Sequence, residues 1–408
     1  MTHEPTYFTL ANGLSVVHIR CASPVGYCGL AIRAGSRDEE AGQEGLAHFV
    51  EHCIFKGTEH RSADDIRNCM ELVGGELNAF TGKDDTVVYT VFPSAYTRRA
   101  LALVSDLVRE SVFPADELEK EREVVLSEMD SYLDTPSEQI FDDFEDMILG
   151  GTPLGHNILG TADNVRRFSS ADCRGWLEKY YTAANCVLFY SGPTGADAFR
   201  RMAQKTFGLM TTGRRMEIPP LEIPAGVRDR SLRKDTHQTH VVMGSAFPTP
   251  QGPAHASIQL LTNILGGPGM NAMLNVELRE KRGLVYTVEA SVTFYGGCAL
   301  FTVYFGCDHA DAAKCKKLIR QTLRDFAANP QGDKAVAAAI RQYLGQLVIA
   351  NDNAENRTIA IARATLHHGR ALTARQIRER LTSLTAAHLL SSAACVSNPV
   401  ALSFNPCS

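Results

Sequence analysis

The stretch GLAHFVEHCIF, residues 45–55, combines a helical pattern with side chains that bind metals. Its apolar residues recur at helical spacing and predict a helix from Gly45 to Phe55. His48 and His52 lie on one face of that helix, where two imidazoles are able to bind one metal ion. Glu51 lies at the adjacent edge, within reach of a water on the metal. Zinc lowers the pKa of such a water to about 7, and a carboxylate accepts its proton.

The order H-x-x-E-H in this helix is the inverse of the zincin order H-E-x-x-H, and both orders mark metalloproteases. The alternative is a pair of surface histidines that bind no metal.

A catalytic zinc site needs a third protein ligand and one open position. A charged helix, predicted from Asp116 to about Tyr132, offers five glutamates, of which Glu121 and Glu128 share a face because they are close to two turns apart. The others are Glu117, Glu119 and Glu123. Charged helix faces are usually solvated, so spacing alone leaves the third ligand open.

The composition is that of an ordinary globular protein. The chain has 408 residues, of which 44% are hydrophobic and 21% charged, and its net charge is −5. These values exclude collagen, coiled coils and disordered chains, and without a basic excess we expect no nucleic-acid partner. No apolar run approaches the ~20 residues that span a bilayer, so we expect no membrane association. The N-terminus lacks a secretory-signal layout and the eleven cysteines form no C-x-x-C pair, which predicts a cytoplasmic protein with reduced thiols.

Glycine and proline interrupt the pattern between residues 191 and 233, which indicates a domain boundary. The order strand, turn, strand, helix occurs on both sides of it, about 210 residues apart. In the second half it comprises the strands Val285–Val292 and Ala299–Phe305 and the helix Asp311–Phe326. We therefore predict an α+β protein of two related domains. The predicted ranges are 1–212 for the first domain, 213–230 for a linker and 231–408 for the second domain.

Residues 45–52, together with FKGT at 55–58, resemble the zinc motif of the pitrilysin, or M16, metallopeptidases, which include insulin-degrading enzyme and the mitochondrial processing peptidase. The resemblance covers nearly the whole first domain. Its further segments are TLANGL 9–14, AGSRDE 34–39, GGELNAFT 74–81, EREVVLSE 121–128, PLGH 153–156 with GT 160–161, and YYTAAN 180–185. It implies that each domain is a mainly antiparallel sheet packed with helices, and that the two form half of a clamshell. Half-length bacterial or organellar members complete the chamber by pairing chains.

The resemblance also implies a ligand set. The family's third zinc ligand is a glutamate some 76 residues after the second histidine, the position that Glu128 occupies here. One Zn²⁺ per chain is therefore expected on His48, His52 and Glu128. Glu51 would be the general base, and Glu121, which matches a glutamate that the family places near the metal, is a further candidate catalytic residue that supports the site.

LREKRGLVY, residues 278–286, resembles the family's arginine–tyrosine pair, which here is Arg279 and Tyr286. In relatives this pair lies across the cleft from the zinc and binds the substrate backbone near the scissile carbonyl. A guanidinium and a phenol are suitable donors to an oxygen that becomes anionic in the transition state. The preceding stretch GPGMNAML, 267–274, departs from the family, whose members often have small hydroxyl residues followed by arginine. This departure affects either a subunit contact or the pocket.

A capping box at Ser62–Asp65 predicts a helix, which the strand Glu76–Thr81 follows. Asn78, Ala79 and Phe80 on this strand are candidate substrate-binding residues. In relatives the corresponding strand lies at the sheet edge and adds the substrate as an extra strand, so that main-chain hydrogen bonds give affinity with little sequence demand. A plain amphipathic strand is the alternative.

The expected function is a zinc endopeptidase that cleaves peptides or unfolded segments in a closed chamber. A homodimer is the simplest assembly, in which Arg279 and Tyr286 of one subunit act at the zinc of the other; a heterodimer with a second M16-like chain is the alternative. Two further classes stay open, a maturation protease dedicated to one partner peptide and a non-catalytic structural subunit. The intact H-x-x-E-H with Glu128 argues against the last, because packing does not require these four residues.

Overall fold

A computed structural model describes residues 4–329 and 331–407, which form two sheets packed with helices. The strands are β1 (Thr6–Thr9), β2 (Ser15–Arg20), β3 (Val25–Ile32), β4 (Glu76–Thr81), β5 (Thr86–Pro93), β6 (Cys186–Gly192), β7 (Arg230–Lys234), β8 (Thr239–Pro248), β9 (Thr287–Tyr295), β10 (Cys298–Cys307) and β11 (Val400–Pro406). The α-helices are α1 (Leu46–Cys53), α2 (Ala63–Glu71), α3 (Thr97–Glu110), α4 (Ala115–Leu133), α5 (Pro136–Leu149), α6 (Ala162–Val165), α7 (Ser170–Tyr180), α8 (Ala196–Phe207), α9 (Pro253–Gly266), α10 (Ala312–Ala328), α11 (Asp333–Ala350), α12 (Ala354–His368), α13 (Ala374–Thr382) and α14 (Ala386–Val396). Short 3-10 turns cover Ser36–Asp38, Ser94–Tyr96, Ala183–Asn185 and His309–Asp311, and a π-helical turn covers Asn275–Glu280.

The first compact unit consists of residues up to Met129, Asn157–Glu217 and Asn351–Thr373. Its six-stranded sheet has the order β1-β2-β6-β3-β5-β4. Neighbouring strands are antiparallel except β2 and β6, which are parallel. β4 is an edge strand, with Asn78 opposite Tyr89 of β5. The edge position that the family resemblance implied for this strand is therefore present.

Apolar side chains cover both faces of this first sheet, because successive residues of a strand point to opposite sides. On β5, Val88 joins the core shared with Phe49 of α1, whereas Val87 joins a separate cluster on the other face. Leu366 of α12 belongs to that second cluster, as does Phe189 of β6. α12 therefore covers the face of the sheet that α1 does not contact.

The second compact unit consists of Asp130–His156, Ile218–Ala350 and the residues from Ala374 onward. Its five-stranded sheet has the order β7-β11-β8-β10-β9, with only the β7–β11 pair parallel. The helices α9, α10 and α14 contribute to the core on one face, and α5 covers the other, where Phe144 packs with Leu300. The predicted fold class, two related α+β domains with mainly antiparallel sheets, is confirmed.

Each unit takes one helix from the other half of the chain: α5 belongs to the second unit and α12 to the first. The contiguous ranges 1–212 and 231–408 therefore do not describe the compact units, although the predicted linker 213–230 contains the boundary that follows Glu217. The sequence misses the exchange because an amphipathic pattern indicates a buried helix face without indicating which sheet covers it.

In the described ranges, no helix has both the length and the apolar character that crossing a membrane requires.

Candidate metal and catalytic site

The N-terminal turn and the apolar face of α1 fix the position of this helix. Gly45, directly before α1, has a φ of 100°, and a Cβ at this position would lie 2.6 Å from the carbonyl oxygen of Leu159. The Glu39 carboxylate accepts hydrogen bonds from the amides of Gly45 (3.0 Å) and Ala47 (2.8 Å), which have no partner within the helix. Phe49 is fully buried in the core. The neighbouring face of α1, which carries the histidines, is thereby held in one orientation.

His48, His52 and Glu128 meet in one cluster, in which the atoms that they offer as ligands all lie within 4.8 Å of one another. Glu128 Oε2 is 3.2 Å from His52 Nε2 and 3.8 Å from His48 Nε2. Among residues 4–329 and 331–407, this is the only group of three or more His, Cys, Asp or Glu side chains so arranged. Two turns of α1 and one turn of α4 thus supply the three predicted zinc ligands.

The cluster fits a zinc ion in both chemistry and spacing. Two imidazole nitrogens and one carboxylate oxygen form a common catalytic donor set, and ligand atoms at tetrahedral zinc lie about 3.3 Å apart. The two distances from Glu128 bracket that value. Burial, with a smaller contribution from His52, lowers the pKa of His48 to about 3. His48 is therefore neutral at pH 7, which is the form of histidine that binds a metal.

Glu121 lies behind His52 rather than among the ligand atoms. Its Oε2 is 3.2 Å from His52 Nδ1, and its Oε1 is 2.5 Å from the ammonium of Lys56. Burial raises the pKa of Glu121, but the hydrogen bonds from His52 and Lys56 outweigh burial and leave the pKa below its usual value. An ionised Glu121 accepts the proton on Nδ1 and so leaves Nε2 of His52 free to face the ligand cluster.

Glu51 lies beside the cluster without being part of it. Its Oε2 accepts a hydrogen bond of 2.6 Å from the hydroxyl of Thr81, the last residue of β4. Burial raises the pKa of Glu51, and the hydrogen bond from Thr81 and the charge of His52 offset only part of this effect. A half-buried carboxylate with a raised pKa, next to a candidate metal-binding cluster, is suited to accept and release a proton.

The strand that ends at Thr81 presents its side chains to both faces of the sheet. Asn78, Ala79 and Phe80 are half-buried; Ala79 packs against the core on the α1 side and Phe80 against the cluster on the α12 side. Within the described part of the chain, no strand pairs with the outer edge of β4. The backbone groups on that edge are therefore available to an extended peptide.

Residues 16–162 match the model of the family described as insulinase, peptidase family M16, and residues 167–343 match the model described as peptidase M16 inactive domain. An uncharacterized zinc protease of Mycobacterium bovis is 31% identical over 400 residues, which are 95% of this chain and 91% of that protein. The chain belongs to peptidase family M16.

Two further comparisons agree with this M16 assignment. An uncharacterized zinc protease of Rickettsia bellii is 28% identical over 370 residues, which are 89% of this chain and 88% of that protein. A crystal structure described as the peptidase M16 inactive domain from Pseudomonas fluorescens has a TM-score of 0.89 at 20% identity, over 100% of this chain and 98% of that chain. At that identity the likeness shows a shared M16 fold.

Arg279 and Tyr286 lie in the second unit of the M16 chain, within the range of the inactive-domain model. Arg279 is exposed on the π-helical turn, and Tyr286 is 64% exposed directly before β9. The Tyr286 hydroxyl donates to Asp308 Oδ1 over 2.9 Å. The stretch 267–274, which departs from the family pattern, contains the exposed Met270. That Arg279 and Tyr286 act at a zinc ion stays a prediction.

Sequence reasoning assigned no role to three residues that support the M16 site. Glu39, Lys56 and Thr81 all stand within segments that resemble the family, but each acts on a residue distant in the sequence or on a backbone amide. The available signal for Lys56 was its position four residues after His52, just beyond the end of α1. For Thr81 the signal was its place at the end of a predicted edge strand.

Proposed function

We propose that this chain is a zinc-dependent endopeptidase that cleaves peptides or unfolded segments in a closed chamber. The observation that carries the proposal is the cluster of His48, His52 and Glu128 with Glu51 beside it and outside the ligand set. A purely structural subunit has no need for a half-buried carboxylate beside a zinc-type donor set. The names of the Mycobacterium and Rickettsia relatives, both zinc proteases, support the same function.

The residues of this chain divide the work of peptide hydrolysis. Zinc held by His48, His52 and Glu128 would act as a Lewis acid that polarises the scissile carbonyl and acidifies water. Glu51 takes the proton of the attacking water and returns it to the leaving amine. The edge of β4 holds the peptide in an extended conformation, as an added strand.

Arg279 and Tyr286 would stabilise the anionic oxygen as hydrogen-bond donors from a second subunit. We propose a homodimer for this reason, since one chain carries both the zinc motif and the pair. Size measurement in solution, together with mixing of Glu51→Gln and Arg279→Ala chains, tests the arrangement. If each subunit supplies its pair to the other's zinc, mixed dimers contain one site that has both Glu51 and Arg279 and so recover part of the activity.

The experiment that tests the function combines cleavage with metal analysis. Purified protein is assayed on a library of quenched unfolded peptides, and zinc is measured in the same sample. Glu51→Gln is expected to retain zinc and to lose about 100- to 10,000-fold in kcat, the usual contribution of a general base. Glu59→Gln, an exposed carboxylate outside the cluster, serves as the matched control and keeps wild-type activity.

Three outcomes separate the functional classes. Broad cleavage that a chelator and Glu51→Gln both abolish supports the endopeptidase. Cleavage of very few peptides indicates a maturation protease with one partner. Full zinc occupancy without cleavage of any peptide, by the dimer or by mixtures with a second M16-like chain, contradicts the proposal and favours a structural subunit.

A further inference from the structure

The last residue of β4 contacts the candidate general base through its hydroxyl. The Thr81 hydroxyl donates to Glu51 Oε2 over 2.6 Å. Alternate residues of a strand face the same side, and Leu77 and Ala79 pack on the side of α1. Thr81 therefore reaches α1 from β4 itself. Because this donor belongs to β4, the direction of the Glu51 carboxylate follows the position of the end of β4.

The turn that follows Thr81 is anchored on buried charges. Asp85 is fully buried and accepts hydrogen bonds from Arg363 (2.9 Å) and His367 (2.6 Å) of α12. The neighbouring Asp84 is 2.5 Å from the guanidinium of Arg37. These contacts fix the turn at the C-terminal end of β4, whereas no strand among the described residues pairs with its outer edge. β4 thus has one anchored end and one open edge.

We propose that Thr81 is a positioning residue through which a peptide that pairs with the open edge of β4 fixes the direction of the Glu51 carboxylate. The proposal rests on the peptidase function proposed above. A peptide strand on that edge adds main-chain hydrogen bonds along β4, whose far end is already anchored, and so holds β4 and the Thr81 hydroxyl in one position relative to Glu51. Peptide binding along β4, away from the scissile bond, thereby helps to orient Glu51. The binding energy therefore raises kcat and does not affect KM alone.

Three variants separate positioning from a structural role. Thr81→Val removes the hydroxyl at nearly constant volume, and Thr81→Ser retains it. Thr90→Val is the matched control, because the Thr90 hydroxyl lies in the same hairpin but donates to the carbonyl oxygen of Glu76. We expect Thr81→Val to lower kcat about 10- to 100-fold, the usual effect of removing a supporting hydrogen bond at a metal site, with KM nearly unchanged. Thr81→Ser recovers kcat to within about threefold, and Thr90→Val resembles the wild type.

Backbone-methylated substrates test the coupling itself. In a set of peptides of one sequence, a single backbone amide on either side of the scissile bond is N-methylated, which blocks pairing at that position. For wild-type protein, methylation of a pairing amide raises KM and lowers kcat. For Thr81→Val the same methylation raises KM without a further loss of kcat, because the link to Glu51 is already broken. The two changes are therefore non-additive in kcat.

Any other result contradicts a specific part of the proposal. Additive losses of kcat overturn the coupling, and a Thr81→Val variant with wild-type kcat overturns the positioning role. Zinc content and thermal unfolding are measured for every variant. If Thr81→Val loses zinc or thermal stability and Thr81→Ser does not, kcat and KM are measured for Thr81→Ala instead. If the wild type itself shows no chelator-sensitive cleavage of these peptides, the peptidase function fails and this inference fails with it. Cleavage by the wild type with no effect at Thr81 overturns this inference alone.

Discussion

Glu121 and Glu128 lie two turns apart on α4 yet contact different atoms. Glu128 faces Nε2 of both histidines, whereas Glu121 faces Nδ1 of His52 and pairs with Lys56. We expect Glu128→Gln to remove a ligand and abolish stoichiometric zinc, and Glu121→Gln to weaken zinc binding about 10- to 100-fold. Chelator competition measures both affinities, and the exposed Glu123→Gln of the same helix is the control. Equal loss of zinc in both variants would contradict the assignment of Glu128 as the ligand.

Asp85 gives a pH-dependent prediction for stability. Burial raises its pKa, but the hydrogen bond from His367 and the charge of Arg363 outweigh burial and leave the pKa below its usual value. Because the folded-state pKa lies below the unfolded value of about 3.9, the stabilisation is fully present above that value and is lost as pH falls through the folded-state pKa. Asp85→Asn therefore costs stability at neutral pH, and its difference from the wild type shrinks below about pH 4.

Urea unfolding at several pH values measures this difference. At pH 7 we expect a loss of about 1 to 3 kcal/mol, limited because Arg363 is half exposed and water replaces part of its pairing. Asp64→Asn, which removes an exposed partner of Arg67, is the control and costs less than about 0.5 kcal/mol. A loss for Asp85→Asn that stays constant down to pH 3 would show that the stabilisation does not depend on the ionised carboxylate.

At the residue scale, local spacing predicted His48, His52 and Glu51 because a single helix sets their relation. The spacing of the glutamates on α4 did not decide between Glu121 and Glu128, and only the family resemblance selected Glu128. The contact between Thr81 and Glu51 joins an edge strand to a helix. The residue pattern within a single helix or strand does not predict a contact between the two, so this contact is seen only in the folded structure.

The start of α1 gives a prediction about an element. Gly45 and Gly42 both have positive φ, but a Cβ on Gly45 would meet the Leu159 carbonyl oxygen at 2.6 Å, whereas a Cβ on Gly42 would meet nothing within 4 Å. Gly42→Ala therefore measures the cost of backbone strain alone, about 1 to 2 kcal/mol. Gly45→Ala adds a steric clash, so we expect a larger loss of unfolding free energy and weaker zinc binding, because the turn before His48 must shift. Equal effects of the two substitutions on both measurements would contradict this.

Elements with local signals were predicted well. The Ser62 hydroxyl accepts from the Asp65 amide and the Asp65 carboxylate accepts from the Ser62 amide, which is the predicted capping box at the start of α2. β4 has the predicted bounds, Glu76–Thr81. Both follow from residues adjacent in sequence. The assignment of α5 and α12 to their sheets depends on contacts more than a hundred residues apart, which local patterns do not encode.

For the whole molecule, the exchange of α5 and α12 predicts how a fragment behaves. A chain that ends at Glu217 lacks α12 and so leaves Val87, Phe189 and their neighbours on that face of the first sheet uncovered. We expect this fragment to bind a hydrophobic dye and to aggregate. A synthetic peptide of residues 351–373 added in trans should reduce dye binding, whereas the same peptide with Leu366→Asp should not. A fragment that stays monomeric and dye-free without the peptide would contradict the role of α12.

The place of α12 in the sequence also matters during synthesis. About 160 residues separate the last strand of the first sheet from α12, and ribosomes add roughly 5 to 20 residues per second. One face of that sheet therefore waits on the order of 10 to 30 seconds for its cover after the strands themselves have emerged. During this interval the nascent chain presents an apolar surface of the kind that chaperones bind. The candidate zinc cluster lies on the other side of the same sheet, so all of its residues have been synthesised before α12 covers the sheet.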